Sequence, residues 1–214
     1  MRELRAALDA EGPSDALFLP RVLTRALEDT CLSMSVDLEV RDVSVLRVRR
    51  GGGHRVDDAC AEAKKRPDHL FFFHYDGTAD SSREKRKHWE PFVAEWRQRL
   101  GDRALVAVVP VREMEAWALA DKAALLAVVG SDWPGRGFFQ ADRPADVERL
   151  EDPKFILQEV SKRGRGRRRR ARKPEEYLPR IADELSLEAL RDVPSFRQWS
   201  VDTVEALRKM RYLP

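Results

Sequence analysis

Six acidic residues stand where they could hold a divalent cation. They form three pairs, each directly after a predicted strand: Glu11 with Asp15, Asp76 with Asp80, and Glu113 with Glu115. The carboxyl ends of parallel strands meet at one edge of a sheet, where ligands bind. Carboxylates that converge there are hard oxygen ligands for Mg²⁺ or Mn²⁺ and leave room for water and a phosphate. The sequence therefore predicts a metal site that acts on phosphate esters.

Each pair also has an explanation that involves no chemistry. Asp76 followed by glycine is a common turn signal, and Glu11 followed by Gly-Pro is a common helix start. If Glu113 and Glu115 both lie in a helix, they point about 200° apart around its axis. Only one of them would then face the site, and the other would form a salt bridge. The placement of all three pairs at strand ends favours the metal site.

The elements that must position these acids alternate between strands and helices. We predict strands over 4–10, 36–48 (with a bulge or bend), 70–75 and 105–109, and helices after Pro13, over 56–65, around 89–100 and over 113–126. This alternation predicts an α/β fold with an open, mostly parallel sheet covered on both faces. Helical patterns at 175–190 and 200–210 predict a division into an α/β domain, 1–130, and a helical C-terminal extension, 131–214.

Composition excludes several classes of protein. The chain has 214 residues, of which 43% are hydrophobic and 36% charged, so it can bury a core as a globular protein. The longest apolar stretch, Ala104–Val111, is far shorter than the roughly 20 residues that cross a bilayer. The N-terminus lacks the apolar block of a signal peptide, so we expect a cytoplasmic protein. The 2 cysteines and 4 histidines are scattered, and we expect neither a zinc site nor a histidine-based metal site.

The basic residues are unevenly distributed. The chain carries 40 basic and 37 acidic residues, a net charge of +3. Residues 162–173, the basic strip, contain no acid, and the remainder of the chain is acidic. The basic side chains of the strip are Lys162, Arg163, Arg165, Arg167, Arg168, Arg169, Arg170, Arg172 and Lys173. This pattern predicts contact with the phosphate backbone of a nucleic acid, and a solvated loop is the alternative.

Several motifs resemble a known family. The segments E-G-P-S-D (11–15), F-F-F-H-Y-D-G (71–77), V-P-V-R-E-M-E-A-W (109–117), D-P-K (152–154) and P-S-F-R (194–197) resemble small bacterial Toprim-like proteins, which are related to overcoming-lysogenization-defect (OLD) type nucleases. Such proteins are often encoded beside AAA-type ATPases in phage-defence loci. The resemblance implies a Toprim fold, with Glu11 as the general base or metal ligand and Asp76 as the first acid of a catalytic D-x-D pair. Thr78 stands where the second aspartate would be, and Asp80 is the nearest substitute.

Two classes of function follow from these observations. The first is a Mg²⁺- or Mn²⁺-dependent nuclease acting on DNA or RNA, an antiviral effector controlled by an AAA-type ATPase partner. The second is a non-catalytic Toprim-like subunit that binds nucleic acid or the ATPase. The oligomeric state stays open, and a homo-oligomer is one alternative. An apolar set near the C-terminus is either the partner's docking surface or part of the core: Leu187, Leu190, Val193, Phe196 and Trp199.

Overall fold

The computed structural model describes residues 2–48, 55–78, 81–130, 141–162 and 173–214. Its central element is a parallel four-stranded sheet with the strand order β4-β2-β5-β6. These strands are β2 (Ala6–Asp9), β4 (Ser44–Val45), β5 (Leu70–His74) and β6 (Ala104–Val108). Two further strands, β1 (Arg2–Leu4) and β3 (Leu38–Val40), form a separate parallel pair. The predicted α/β fold with a parallel sheet flanked by helices is confirmed.

Helices cover both faces of this sheet. In chain order the α-helices are α1 (Pro13–Ser33), α2 (Arg55–Lys64), α3 (Ser81–Glu84), α4 (Glu90–Leu100), α5 (Glu115–Ala118), α6 (Lys122–Val129), α7 (Pro153–Lys162), α8 (Leu178–Glu184), α9 (Leu187–Asp192) and α10 (Pro194–Lys209). A π-helical turn, Lys85–Trp89, joins α3 to α4, and short 3-10 turns lie at Pro144–Arg149 and Pro174–Glu176.

The apolar strands explain why the sheet is buried between two layers. Every residue of β5 is buried, as expected for a continuous apolar strand of a parallel sheet. Successive side chains of a strand point to opposite faces. Phe71 and Phe73 therefore pack in the cluster that contains α2 and α4, whereas Leu70 and Phe72 pack in the larger cluster that contains α1 and the C-terminal helices.

Two predicted elements differ from the structure. The single helix predicted over 113–126 is two helices, α5 and α6, because Asp121 is extended and accepts a hydrogen bond from the Ala124 N–H as the N-cap of α6. The single bent strand predicted over 36–48 is two strands in different sheets, since β3 pairs with β1 and β4 pairs with β2. Helix α7 lies in a region where no helix was predicted.

The C-terminal helices share the larger core with the sheet. Leu190, Val193, Phe196 and Trp199 are at most 3% exposed, and the Phe196 ring contacts those of Trp117 and Trp199. Leu187 is half-buried and packs against the same core. Their burial contradicts the prediction of a docking surface and supports the alternative that these residues are core.

Among the described residues, no helix combines the length and the apolar character needed to cross a membrane.

Candidate metal centre

Two adjacent strands bring Glu11 and Asp76 together. Strand β2 pairs with β5 so that Asp9 lies opposite Phe73, and both strands end at the same edge of the sheet. Glu11 follows β2 and Asp76 follows β5. The backbone N–H of Asp76 donates a hydrogen bond to Oε2 of Glu11 over 3.1 Å. Glu11 and Asp76 therefore lie next to each other at the ends of β2 and β5, as predicted from the sequence.

His74 completes this cluster from the end of β5. It lies two residues before Asp76 and therefore on the same side of the strand. Its side chain is fully buried. Nδ1 lies 3.0 Å from the carbonyl oxygen of Val108. A carbonyl can only accept, so Nδ1 carries the proton and donates it, and in the neutral ring Nε2 presents a lone pair to the acids.

The Nε2 atom of His74 faces two carboxylates without a hydrogen bond to either. It lies 3.5 Å from Oδ2 of Asp15 and 3.7 Å from Oδ1 of Asp76. Among the described residues this buried atom has no hydrogen-bond partner. Burial works to lower the pKa of His74, but Asp15, the Val108 carbonyl and Asp76 outweigh it and the pKa is raised. The raised pKa favours a proton on Nε2, so a cation bound at this atom would replace that proton between the two carboxylates.

The first turn of α1 holds Asp15 in place. Pro13 is suited to the first helical position, and the Gly12 N–H donates to Oδ2 of Asp15 over 2.5 Å. A Cβ atom at position 12 would lie only 2.9 Å from that oxygen, which explains the glycine. Burial works against ionisation of Asp15, yet His74 and the Gly12 N–H lower its pKa. Asp15 therefore favours its ionised form, and its negative charge stabilises the protonated form of His74.

Three of these side chains are close enough to share one ion. Glu11, His74 and Asp76 each offer a ligand atom, and these atoms all lie within 4.8 Å of one another. The Nδ1 hydrogen bond to a backbone carbonyl is the usual outer contact of a metal-binding histidine, because it fixes the ring and its tautomer. The unpartnered Nε2 atom and the two carboxylates therefore fit a divalent cation.

Two carboxyl groups at the site, those of Asp76 and Glu115, have raised pKa values. Burial raises the pKa of Asp76 to about 6, and the charges of Glu11, Asp15 and Glu113 add to the rise. Burial likewise raises the pKa of Glu115 to about 7, with contributions from Glu113 and Asp15. A bound cation would stabilise the ionised forms of these groups. Such clustered, shifted carboxyl groups are characteristic of functional sites.

Two cations border the cluster. Arg55 binds Asp9 through Nε over 2.9 Å and donates to the His74 carbonyl oxygen over 2.6 Å. Burial nevertheless raises the pKa of Asp9 to about 6, because it outweighs the attraction of Arg55. The Lys154 backbone N–H donates to Oε2 of Glu113 over 3.1 Å, and its positive charge lowers the pKa values of Asp15 and Glu115. Arg55 therefore acts on Asp9, whereas Lys154 acts on Asp15 and Glu115.

The six predicted acids differ in how they are placed relative to the cluster of Glu11, His74 and Asp76. Glu11 and Asp76 belong to the three-residue cluster, and Asp15 adjoins it through His74. Glu113 precedes α5 and is half-buried, whereas Glu115 begins α5 and is buried. Because Glu113 is outside the helix, the helical argument that only one of the pair faces the site does not apply. Asp80 lies outside the described residues.

His74 is the site residue that sequence reasoning missed. The spacing between histidines detects zinc motifs but not a ligand set built from several strands. The signal was present in the H-x-D spacing at the end of the most apolar strand. Alternate residues of an extended chain share one side, so this spacing places the side chain at position 74 beside that of Asp76.

The described part of the basic strip consists of its two ends. Lys162 ends α7 and forms an ion pair with Glu159 over 2.6 Å, and Lys173 is exposed. The arginines lie outside the described residues: Arg163, Arg165, Arg167, Arg168, Arg169, Arg170 and Arg172.

Comparison with known proteins yields one relationship. No curated protein and no solved structure matches the chain. One family matches it over residues 10–204, a range that includes both strand ends, His74 and the C-terminal helices. Because this match covers most of the sequence, the chain belongs to the family described as Domain of unknown function (DUF4276).

Proposed function

We propose that this chain is a metal-dependent nuclease that cleaves phosphodiester bonds of DNA or RNA. The observation that carries the proposal is the approach of Glu11, His74 and Asp76 to within 4.8 Å of one another at the carboxyl edge of a parallel sheet. A cation held by only these three protein groups would keep coordination positions for water and a phosphate oxygen. The resemblance of the same residues to Toprim-type and OLD-type nucleases supports this reading.

The donor set bears on the choice of cation. Two carboxylates suit both Mg²⁺ and Mn²⁺, but an imidazole nitrogen is a ligand for transition metals rather than for Mg²⁺. Of the two cations we propose Mn²⁺ as the better fit, with Glu11, His74 and Asp76 as its ligands. When bound, it would polarise a phosphate oxygen and lower the pKa of a coordinated water.

The chain's own residues have separate roles in this proposal. Glu11 and Asp76 would each hold the cation through one oxygen, and the second carboxylate oxygen of Glu11 is the candidate general base. The Val108 carbonyl orients His74 through Nδ1, and Asp15 places negative charge beside Nε2. Lys154 contributes positive charge beside Asp15 and Glu115, where a substrate phosphate would need it. The basic strip begins in the sequence at Lys162, the last residue of α7, and would contact the nucleic-acid backbone.

The biological setting is part of the same proposal. We propose that the chain acts in the cytoplasm as an effector of antiviral defence, held or released by an AAA-type ATPase partner. The family resemblance supports the partner and the setting. The buried, unpaired thiols of Cys31 and Cys60 agree with a reducing compartment.

A cleavage assay tests the proposal. Labelled DNA and transfer RNA are incubated with the protein and Mn²⁺ or Mg²⁺, with and without the product of a neighbouring ATPase gene. We expect metal-dependent cleavage by the wild type and a loss of at least about a hundredfold for Asp76→Asn and Glu11→Gln. The matched control is Asp37→Asn, because Asp37 is exposed and follows the far end of α1.

The same assay separates the two classes of function. Nucleic-acid binding without cleavage by the wild type would indicate the non-catalytic subunit instead. Equal cleavage by the wild type, Asp76→Asn and Glu11→Gln would assign the activity to another site.

A further inference from the structure

Strand β6 ends the four-stranded sheet and offers its outer backbone. Within the described part of the chain its strand partner is β5 alone. Successive residues of an edge strand in a parallel ladder direct their backbone groups alternately toward the neighbour and away from it. The Tyr75 N–H donates to the Val108 carbonyl, so Val108 faces β5. Leu105, Ala107 and Val109 therefore direct their N–H and C=O groups outward.

A long groove runs along this edge. It has a volume of about 1260 Å³, and its floor consists of Arg103 and the β6 residues 104–107. Its first wall is the segment of the π-helical turn and α4, including Trp89 and Val93. Its second wall is α10, including Gln198 and Asp202. The groove is therefore open to an extended chain, which could pair with the outward-facing backbone groups.

The two walls of the groove carry opposite charge. Lys85 and Arg97 line the α4 side, whereas Asp202 and Glu205 line the α10 side, which also includes Lys209. Within the described ranges, neither Lys85 nor Arg97 forms an ion pair, and the same holds for Asp202 and Glu205. The α4 side also offers apolar side chains to an occupant, since Leu105 and Val109 point toward it together with Trp89 and Val93.

We propose that the β6 edge binds an extended segment of a partner protein as an added strand. Alternate side chains of such a segment point to opposite walls. Apolar and acidic residues would face Lys85 and Arg97, and polar and basic residues would face Asp202 and Glu205. The occupant is therefore a strand with apolar-acidic residues on one face and polar-basic residues on the other.

A second copy of the chain fits this edge less well. Two identical edge strands pair antiparallel about a two-fold axis perpendicular to the sheet, which keeps the α4 helices of both copies on one side. Lys85 and Arg97 would then approach their own symmetry mates, and Asp202 and Glu205 would do the same. This juxtaposition of like charges favours a partner of complementary pattern over self-association.

A pair of peptides tests this proposal independently of any nuclease activity. The first octapeptide repeats Thr-Val-Lys-Glu, so that in extended form valine and glutamate share one face. The control repeats Thr-Val-Glu-Lys and has the same composition, but lysine shares the face with valine. Fluorescence anisotropy measures binding of each labelled peptide. We expect the first to bind at least about tenfold more tightly.

Two exposed charge-reversal variants locate the interaction. The Lys85→Glu, Arg97→Glu double variant should weaken binding of the first peptide by about tenfold and leave the control peptide no weaker. The matched variant Arg86→Glu, Lys87→Glu changes exposed residues of the same segment that do not line the groove, and should bind as the wild type does. Amide hydrogen exchange by NMR should show peptide-dependent protection at Leu105, Ala107 and Val109.

Several results would overturn the proposal. These are equal affinities for the two peptides, no binding at millimolar concentration, or equal effects of the two double variants. Protection of the three amides in the free monomer would show that other residues of this chain already pair with the β6 edge. Protection that appears only with a concentration-dependent dimer would assign it to a second copy.

Discussion

The Nε2 atom of His74 lies 3.7 Å from Oδ1 of Asp76, while Nδ1 of the same ring donates to the Val108 carbonyl on the neighbouring strand. The imidazole therefore links the backbone of β6 to the carboxylate cluster. Since His74 is buried and Asp76 is partly exposed, the candidate site has one ligand group inside the fold and a second that solvent can reach.

The first prediction concerns the pH dependence of the metal-free protein. Burial raises the pKa of Glu115 to about 7 and those of Asp76 and Asp9 to about 6. In the unfolded chain these groups lose their protons near pH 4. Between about pH 4 and pH 7 the folded state binds more protons, so the free energy of unfolding falls as the pH rises. Denaturant unfolding at several pH values measures this.

A Glu115→Gln variant isolates one of these groups. The neutral amide removes the penalty for ionising Glu115, so we expect a shallower fall and a gain at pH 7 of at most about 3 kcal/mol. The control, Glu184→Gln, changes an exposed helical carboxylate and should leave the profile as it is. A Glu115→Gln profile that parallels the wild type would show that Glu115 ionises normally in the folded protein.

The second prediction concerns the apolar residues of the C-terminal helices. Phe196 is 2% exposed, whereas Val201 on the same helix is 49% exposed. Phe196→Asp should therefore reduce the free energy of unfolding by about 5 kcal/mol or prevent folding, because it adds an unpaired charge to the loss of packing. Val201→Asp should change it by less than about 1 kcal/mol. Chemical denaturation followed by circular dichroism compares the two, and a well-folded Phe196→Asp protein would contradict the assignment to the core.

The third prediction concerns the basic strip. Replacing Arg167–Arg170 with serine should make the salt dependence of duplex DNA binding shallower by a few units, because each lost phosphate contact removes nearly one unit of slope. Replacing the same four arginines with lysine keeps the charge and should keep the slope. Binding titrations from low to moderate salt supply both values. The same slope in the serine variant and the wild type would assign the strip to solvent or to a protein partner.

Much of the fold is local enough to be predicted from the sequence. The run of phenylalanines that forms β5 and the Gly-Pro start of α1 each identify their element without long-range information. The division of 113–126 depends on Asp121, whose other carboxylate oxygen also accepts from the distant Ser186 N–H. The division of 36–48 depends on which strand each half pairs with. Such contacts between distant residues leave no periodic signal in a single sequence.

The candidate site shows the same limit. Glu11 and Asp76 could be found because an acid after a buried strand has a defined place in an α/β sheet. His74 could not be recognised from histidine spacing, since its role depends on the Val108 carbonyl of β6 and on Asp15 of α1. Those two groups come from different parts of the chain, and only the folded sheet brings them to the ring.

Mn²⁺ electron paramagnetic resonance tests the central claim most directly. The protein is titrated with Mn²⁺, and the nitrogen coupling to the bound ion is recorded for the wild type, His74→Gln and the control His69→Gln, which changes a histidine at the opposite end of β5. We predict a bound Mn²⁺ with a directly coordinated nitrogen in the wild type and His69→Gln, and loss of that coupling in His74→Gln. Wild-type protein that binds no Mn²⁺, or whose nitrogen coupling persists in His74→Gln, would contradict the account.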